Sequence, residues 1–132
     1  LESMTGRPVI HTIKDAEPIV PKKLLDVIVV APCTGNTLGK LACGITDTSV
    51  TMAVKAHLRN RRPVVLALST NDGLAASSRN IGTLLNTKNI YFVPYSQDDP
   101  AGKPTSLVAN MDKILQTTTA ALKGVQLQPI IE

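Results

Sequence analysis

A chain of 132 residues suits one domain large enough to bury a real core, and with 43% hydrophobic but only 2% aromatic residues that core has to be aliphatic. The net charge of +4 is mildly basic. With no Trp and a single Phe there are few platforms on which bases stack, which argues against binding single-stranded nucleic acid, and no apolar run reaches membrane-spanning length.

The first residues, LESMTGRP, have neither the basic start nor the apolar middle of a signal peptide. The chain begins without Met, inside what reads as a helix end over residues 1–5 closed by Gly6, so an N-terminal portion is expected to precede it. Residues 8–13, PVIHTI, are expected to be extended, and His11 among apolar neighbours reads as structural or exposed rather than catalytic. Residues 14–23, with two prolines, read as a loop feeding a strand.

The organising stretch is DVIVVAPCTGNTLGKLACGITD, residues 26–47. Val27 to Ala31 is an unbroken apolar run of the kind buried on both faces of a parallel sheet. The pattern breaks at Pro32, passes Thr34, Gly35, Asn36 and Thr37, and becomes helix-like through Leu38, Leu41 and Ala42. Strand, loop and helix in this order put hydroxyl, amide and glycine groups at a strand's carboxyl end, where open α/β sheets bind ligands. The same residues also serve as a plain helix cap, with Asn36 or Thr34 satisfying free N–H groups. Cys33 and Cys43 lack a disulfide or zinc pattern and are expected to be buried, reduced thiols of a cytoplasmic protein. No histidine stands near Cys33 in sequence to activate it.

Asp47 or Thr48 is positioned to cap a second helix, TSVTMAVKAHLRN, with Val50, Met52, Ala53, Val54, Ala56 and Leu58 as its apolar positions. The cluster Arg59, Asn60, Arg61, Arg62 falls at its end, where the helix dipole favours cations; it reads first as a solvated helix end and second as a contact for phosphate or an acidic partner. PVVLAL then gives a second strand, and the βαβ unit should be right-handed with parallel strands. Ser69, Thr70, Asn71, Asp72 and Gly73 follow it. Two polar strand ends side by side build one crevice, although Asn, Asp and Gly are also what a simple turn demands.

A weaker helix is expected over residues 74–86, with Ile81, Leu84 and Leu85 apolar and Gly82 against it. NIYFVP is a third strand, and YSQDDPAGKPTS a long polar loop whose length invites a functional reading. Asp98 and Asp99 are adjacent and do not read as a metal pair. A last helix is expected over 106–123, and the tail GVQLQPIIE as an exposed extension or a frayed end. P-loop, GxGxxG and HExxH motifs are absent from the sequence. The residues alone therefore predict an α/β domain whose crevice suits a nucleotide-like or flavin-like ligand.

APCTGNTLGKLACGITD is similar to the PASANT-type segment of the flavoprotein family that includes the cysteine decarboxylases of coenzyme A and lantibiotic synthesis. Pro32, Cys33, Thr34, Gly35, Asn36 and Thr37 lie over its six positions, with Pro32, Asn36 and Thr37 identical. RPVVLALSTNDGLA lies over the family's PxMNxxMW segment, where Asn71 matches the asparagine and Leu68, Thr70, Leu74 and Ala75 replace its Pro, two Met and Trp. The decarboxylases carry an active-site histidine shortly before the first strand; here that neighbourhood reads AEPIVPK, with Pro18 near the place. Cysteine decarboxylation is therefore the weakest reading.

Within that family the phrases DAEPIVPK, TGNTLGKLA, RNRRPVVLALSTND, TKNIYFVPYSQDDPAGKPTSLVA and QLQPI resemble the branch formed by the B subunits of dipicolinate synthase. This likeness implies a flavodoxin-like, Rossmann-like three-layer fold with a parallel sheet, whose first strands and phosphate-binding loop are absent from this chain. It implies an FMN site made by Pro32, Thr34, Gly35, Asn36, Thr37, Ser69, Thr70 and Asn71. It also implies a homo-oligomer built on trimers, and the NAD(P)-type A subunit of the same synthase as partner in making dipicolinate, in the mother-cell cytoplasm of a spore-forming bacterium. Two functions stay open: a flavoprotein component of an oxidoreductase, and a non-catalytic structural or regulatory partner that keeps a vestigial flavin fold.

Overall fold

The computed structural model describes residues 27–132. The expected helix end at 1–5, extended piece at 8–13 with His11, loop at 14–23 and Pro18 lie outside the described residues. The first described strand, β1 (Ile28–Cys33), leads into α1 (Gly35–Cys43), α2 (Ser49–Arg59) and strand β2 (Val64–Thr70). Next come α3 (Ser78–Leu85), β3 (Ile90–Phe92), β4 (Tyr95–Ser96), β5 (Leu107–Ala109), a 3-10 turn (Met111–Lys113) and α4 (Ile114–Leu122).

β2 is the centre of the sheet. Five consecutive residues, Val64 to Leu68, are 0% exposed, and each fully buried Val or Leu side chain contributes about 1.5–3 kcal/mol. β2 pairs in parallel with β1 on one edge and with β3 on the other, as the βαβ pattern predicts. Period-two alternation then divides the core. Val64, Leu66 and Leu68 face a cluster with Leu38 of α1, Val54 of α2 and Ile81 and Leu84 of α3. Val65 and Ala67 face the opposite cluster with Ile114 and Ala121 of α4. Helices therefore cover both faces, giving the three-layer α/β arrangement.

β1 differs from the doubly buried strand its composition predicts. Among the described residues it pairs only with β2, and Val29 and Ala31 remain half-buried. Its register slips between Val30 and Cys33, which stand opposite Leu66 and Leu68, so three steps of β1 match two of β2. This bulge holds the cis Ala31–Pro32 bond and leaves Pro32 exposed while Cys33 turns into the core.

Capping explains where the first helices begin and end. The Thr34 hydroxyl accepts from the Thr37 N–H, and Gly44 closes α1 at a φ of 74°, which a residue without Cβ adopts freely. Thr48, rather than Asp47, caps α2 through a reciprocal box with Thr51; Asp47 pairs instead with Lys40 at 3.0 Å. On α2, Thr51 and His57 are buried beside Ala53 and Val54, although both are polar.

The second half departs from expectation in several places, the smallest being that Tyr95 and Ser96 form β4 rather than the start of the polar loop. Residues 71–77 form turns, so α3 starts only at Ser78. Leu107 and Val108 belong to strand β5, not to the last helix: β5 pairs antiparallel with Thr70 and Ser69 of β2 and with β4. The backbone at the end of β2 needs hydrogen-bond partners, and β5 supplies them, so the parallel unit continues into a mixed sheet. Asn110 then caps the 3-10 turn that opens α4. The tail also docks on its own chain. Gln126 donates to the Phe92 carbonyl at 2.6 Å and accepts from the Phe92 N–H at 2.8 Å, while the Tyr95 N–H donates to the Ile130 carbonyl at 2.9 Å.

Candidate crevice at two strand ends

Parallel pairing places the carboxyl ends of β1 and β2 side by side, and the two polar segments come together at Gly35. A Cβ built there would lie 2.7 Å from Thr70 Oγ1, 3.2 Å from Asp72 Oδ1 and 3.4 Å from Ser77 Oγ. The first polar segment thus seats its glycine against the second, and the fold brings together the two stretches singled out from sequence. Pro32, Thr34 and Asn36 are exposed, Gly35, Thr37 and Ser69 half-buried, Thr70 buried and Asn71 exposed.

The carboxylate of this cluster, Asp72, stood in the sequence among the polar residues after β2, as part of the crevice or of a plain turn, with no role of its own. Asp72 accepts the Thr70 hydroxyl at 2.5 Å and is also hydrogen-bonded by the Ser77 side chain. These two donors hold its pKa below the usual aspartate value. Ser77, 3% exposed, enters the cluster because residues 72–77 curl back, its N–H donating to the Asp72 carbonyl at 3.0 Å. The only sequence signal for this was the spacing of Thr70, Asp72 and Ser77 around a glycine turn.

Loop 97–106 fastens the second segment from outside. Thr105 donates its hydroxyl to the Asn71 carbonyl at 2.7 Å, and its own carbonyl accepts the Leu74 N–H at 2.9 Å. Gly73 lies so close to Leu107 that a Cβ would come within 2.6 Å of it. The loop itself is held by local bonds such as Gly102 N–H to Asp99 Oδ1 at 3.0 Å and Gln97 to the Pro104 carbonyl at 2.9 Å. Its length thus serves to hold Asn71, a role that no residue type in it announces.

Cys33 is no nucleophile. It is fully buried, and desolvation pushes its thiol up to about 12. Cys43, expected to be buried, is exposed at the end of α1, because the helix turns its last residue outward before Gly44. What the crevice offers is therefore a set of hydroxyls, an amide and one hydrogen-bonded carboxylate, suited to holding and orienting a ligand by hydrogen bonds.

Comparison with known proteins shows the family. The Flavoprotein family model matches residues 2–123. The chain belongs to the Flavoprotein family. It is 52% identical over 131 residues to the B subunit of dipicolinate synthase from Bacillus subtilis, covering 99% of this chain and 66% of that protein. A crystal structure of the corresponding B subunit from Bacillus halodurans superposes with a TM-score of 0.91 at 47% identity, over 99% of this chain and 67% of the other. The FMN-dependent cysteine decarboxylase SpaF gives a TM-score of 0.59 at 27% identity, over 91% and 69%. The chain thus spans about two thirds of the length of the first two relatives. The flavodoxin-like order of strands and helices explains why the polar segments of this Flavoprotein member meet at one end of the sheet. Among the described residues no helix is long and apolar enough to cross a membrane.

Proposed function

We propose that this chain acts as the flavoprotein B subunit of a dipicolinate synthase, forming dipicolinate from a dihydrodipicolinate-pathway precursor together with an NAD(P)-type A subunit. The observation that carries this reading is the likeness to the Bacillus subtilis protein, 52% identical along 99% of the chain. In this reading the protein works in the mother-cell cytoplasm during sporulation, as a homo-oligomer built on trimers.

FMN is the cofactor proposed for the crevice, with Pro32, Thr34, Gly35, Asn36, Thr37, Ser69, Thr70 and Asn71 around it. The fit rests on the donor set: neutral hydroxyls and amides match a ribityl chain and ring edge, and Gly35 leaves the backbone of α1 directly against Thr70. Bound flavin supplies the capacity to accept and release electrons. The chain's own residues bind and orient: Thr34 holds the start of α1, and Thr105 holds the backbone of the exposed Asn71. None of the eight residues is an acid or base, so their part is to bind and orient; the one titratable group beside them is Asp72, hydrogen-bonded to Thr70.

The test is reconstitution with the purified A subunit. An Asn71→Ala variant that assembles normally and loses dipicolinate formation supports the catalytic reading. An unchanged rate with the variant contradicts it and favours a structural partner.

A further inference from the structure

A second cleft opens at the other end of the sheet. It reaches Ile90, the first residue of β3, which stands opposite Val64 where β2 begins, whereas the crevice lies at Thr70 where β2 ends. Residues of α1, α2 and α3 enclose it over a volume of about 200 Å³. Val54, Leu84 and Ile90 are its buried residues, and half-buried Leu41 and Leu58 continue the apolar lining. Ile45, directly after the Gly44 stop of α1, also lines the cleft and is 46% exposed.

The polar groups of the lining are of two kinds. The hydroxyls of Thr51, Thr83 and Thr87 donate to the backbone carbonyls of Thr48, Arg79 and Thr83 at 3.1, 3.0 and 2.9 Å, so these walls already have their hydrogen bonds. The cations differ. Lys40 holds Asp47 at 3.0 Å, while Lys55, exposed, has no ion pair among the described residues. Arg59 follows Lys55 by one turn of α2 and Lys88 follows Thr87, so the surroundings of the cleft are positive. Size narrows the occupant further. An apolar cavity of about 150 Å³ admits benzene, and drug-sized ligands occupy roughly 300–1,000 Å³, so this volume suits a single ring or a short branched chain.

We propose that this cleft is a second ligand site, which takes a ring-sized apolar monocarboxylate: the apolar body fills the space between α2, α3 and β3, and the carboxylate pairs with Lys55. The volume sets the body, and the cation sets the charge. The site shares no residue with the crevice, so it stands apart from the flavin reading.

The experiment is saturation-transfer NMR of the purified protein with three probes at matched ionic strength: benzoate, benzyl alcohol, which keeps the ring without the charge, and acetate, which keeps the charge without the ring. Benzoate is expected to bind about tenfold more tightly than benzyl alcohol, as for one charge-assisted hydrogen bond, and acetate to give no signal. Lys55→Gln, at an exposed position, should bring benzoate down to the affinity of benzyl alcohol. Thr83→Phe, an exposed wall residue of α3, should fill the cleft and abolish binding of both. Absence of a benzoate signal in the parent, equal affinity for benzoate and benzyl alcohol, or benzoate binding undiminished in either variant overturns the proposal. A Thr83→Phe protein of lower oligomeric mass by sedimentation, with no benzoate signal in the parent, would make the cleft an interface between copies and overturn it equally.

Discussion

Gly35 sits where the two polar segments meet, and its substitution separates packing from chemistry. In Gly35→Ala the new Cβ would press on Thr70 Oγ1 at 2.7 Å, and Thr70 cannot retreat without giving up Asp72. Overpacking of this kind costs about 1–3 kcal/mol, more than the ~1 kcal/mol that alanine gains over glycine in a helix. Urea unfolding should therefore show a net loss, together with weaker flavin retention. The thiols are expected to divide sharply: a maleimide reagent labels Cys43 in the native protein, and Cys33 only after denaturation, which mass spectrometry of tryptic peptides reads directly. Asp72 gives a pH dependence of defined sign. Its folded pKa lies below the unfolded value of about 3.9, so the carboxylate's contribution is fully present above that value and is lost as pH falls through the folded one. The urea midpoints of the parent and Asp72→Asn should differ by a constant amount from pH 7 to about pH 5, and the difference should shrink as pH falls below about 4.

Elements with a clear period or a strong punctuator were readable in the sequence. The run of β2 needed only neighbours along the chain to declare it, and the caps of α1 and α2 were narrowed to two residues each, of which the structure uses Thr34 and Thr48. β5 was hidden because Leu107, Val108 and Ala109 are too few to distinguish a two-residue from a 3.6-residue period, and what makes them a strand is the edge of β2, remote in sequence. The tail was hidden for a related reason. Gln126 uses its side-chain amide as a strand would use its backbone, bonding both the N–H and the carbonyl of Phe92. Gln126→Ala leaves those two backbone groups without that partner. The expected cost is about 1–3 kcal/mol, seen as a lower urea midpoint and faster hydrogen exchange at the Phe92 amide.

At the scale of the molecule, the two polar segments meet because the sheet is parallel where they leave it, and this much of the site followed from strand, loop and helix order alone. The parts that escaped are those set by non-local packing: the Asp72 cluster, the Thr105 clasp and the outward turn of Cys43. Asn71 was visible as a motif asparagine, yet the residue that holds its backbone lies 34 positions further on. The crevice is thus a product of three loops, with exposed Thr34, Asn36 and Asn71 and one carboxylate, Asp72, hydrogen-bonded to buried Thr70 and Ser77. The central claim is that this arrangement is a working flavin site. The most direct test is the visible absorbance spectrum of the purified protein, with the released chromophore identified after heat denaturation. FMN in near-stoichiometric amount is the predicted result; a colourless protein that also fails to take up added FMN would contradict it.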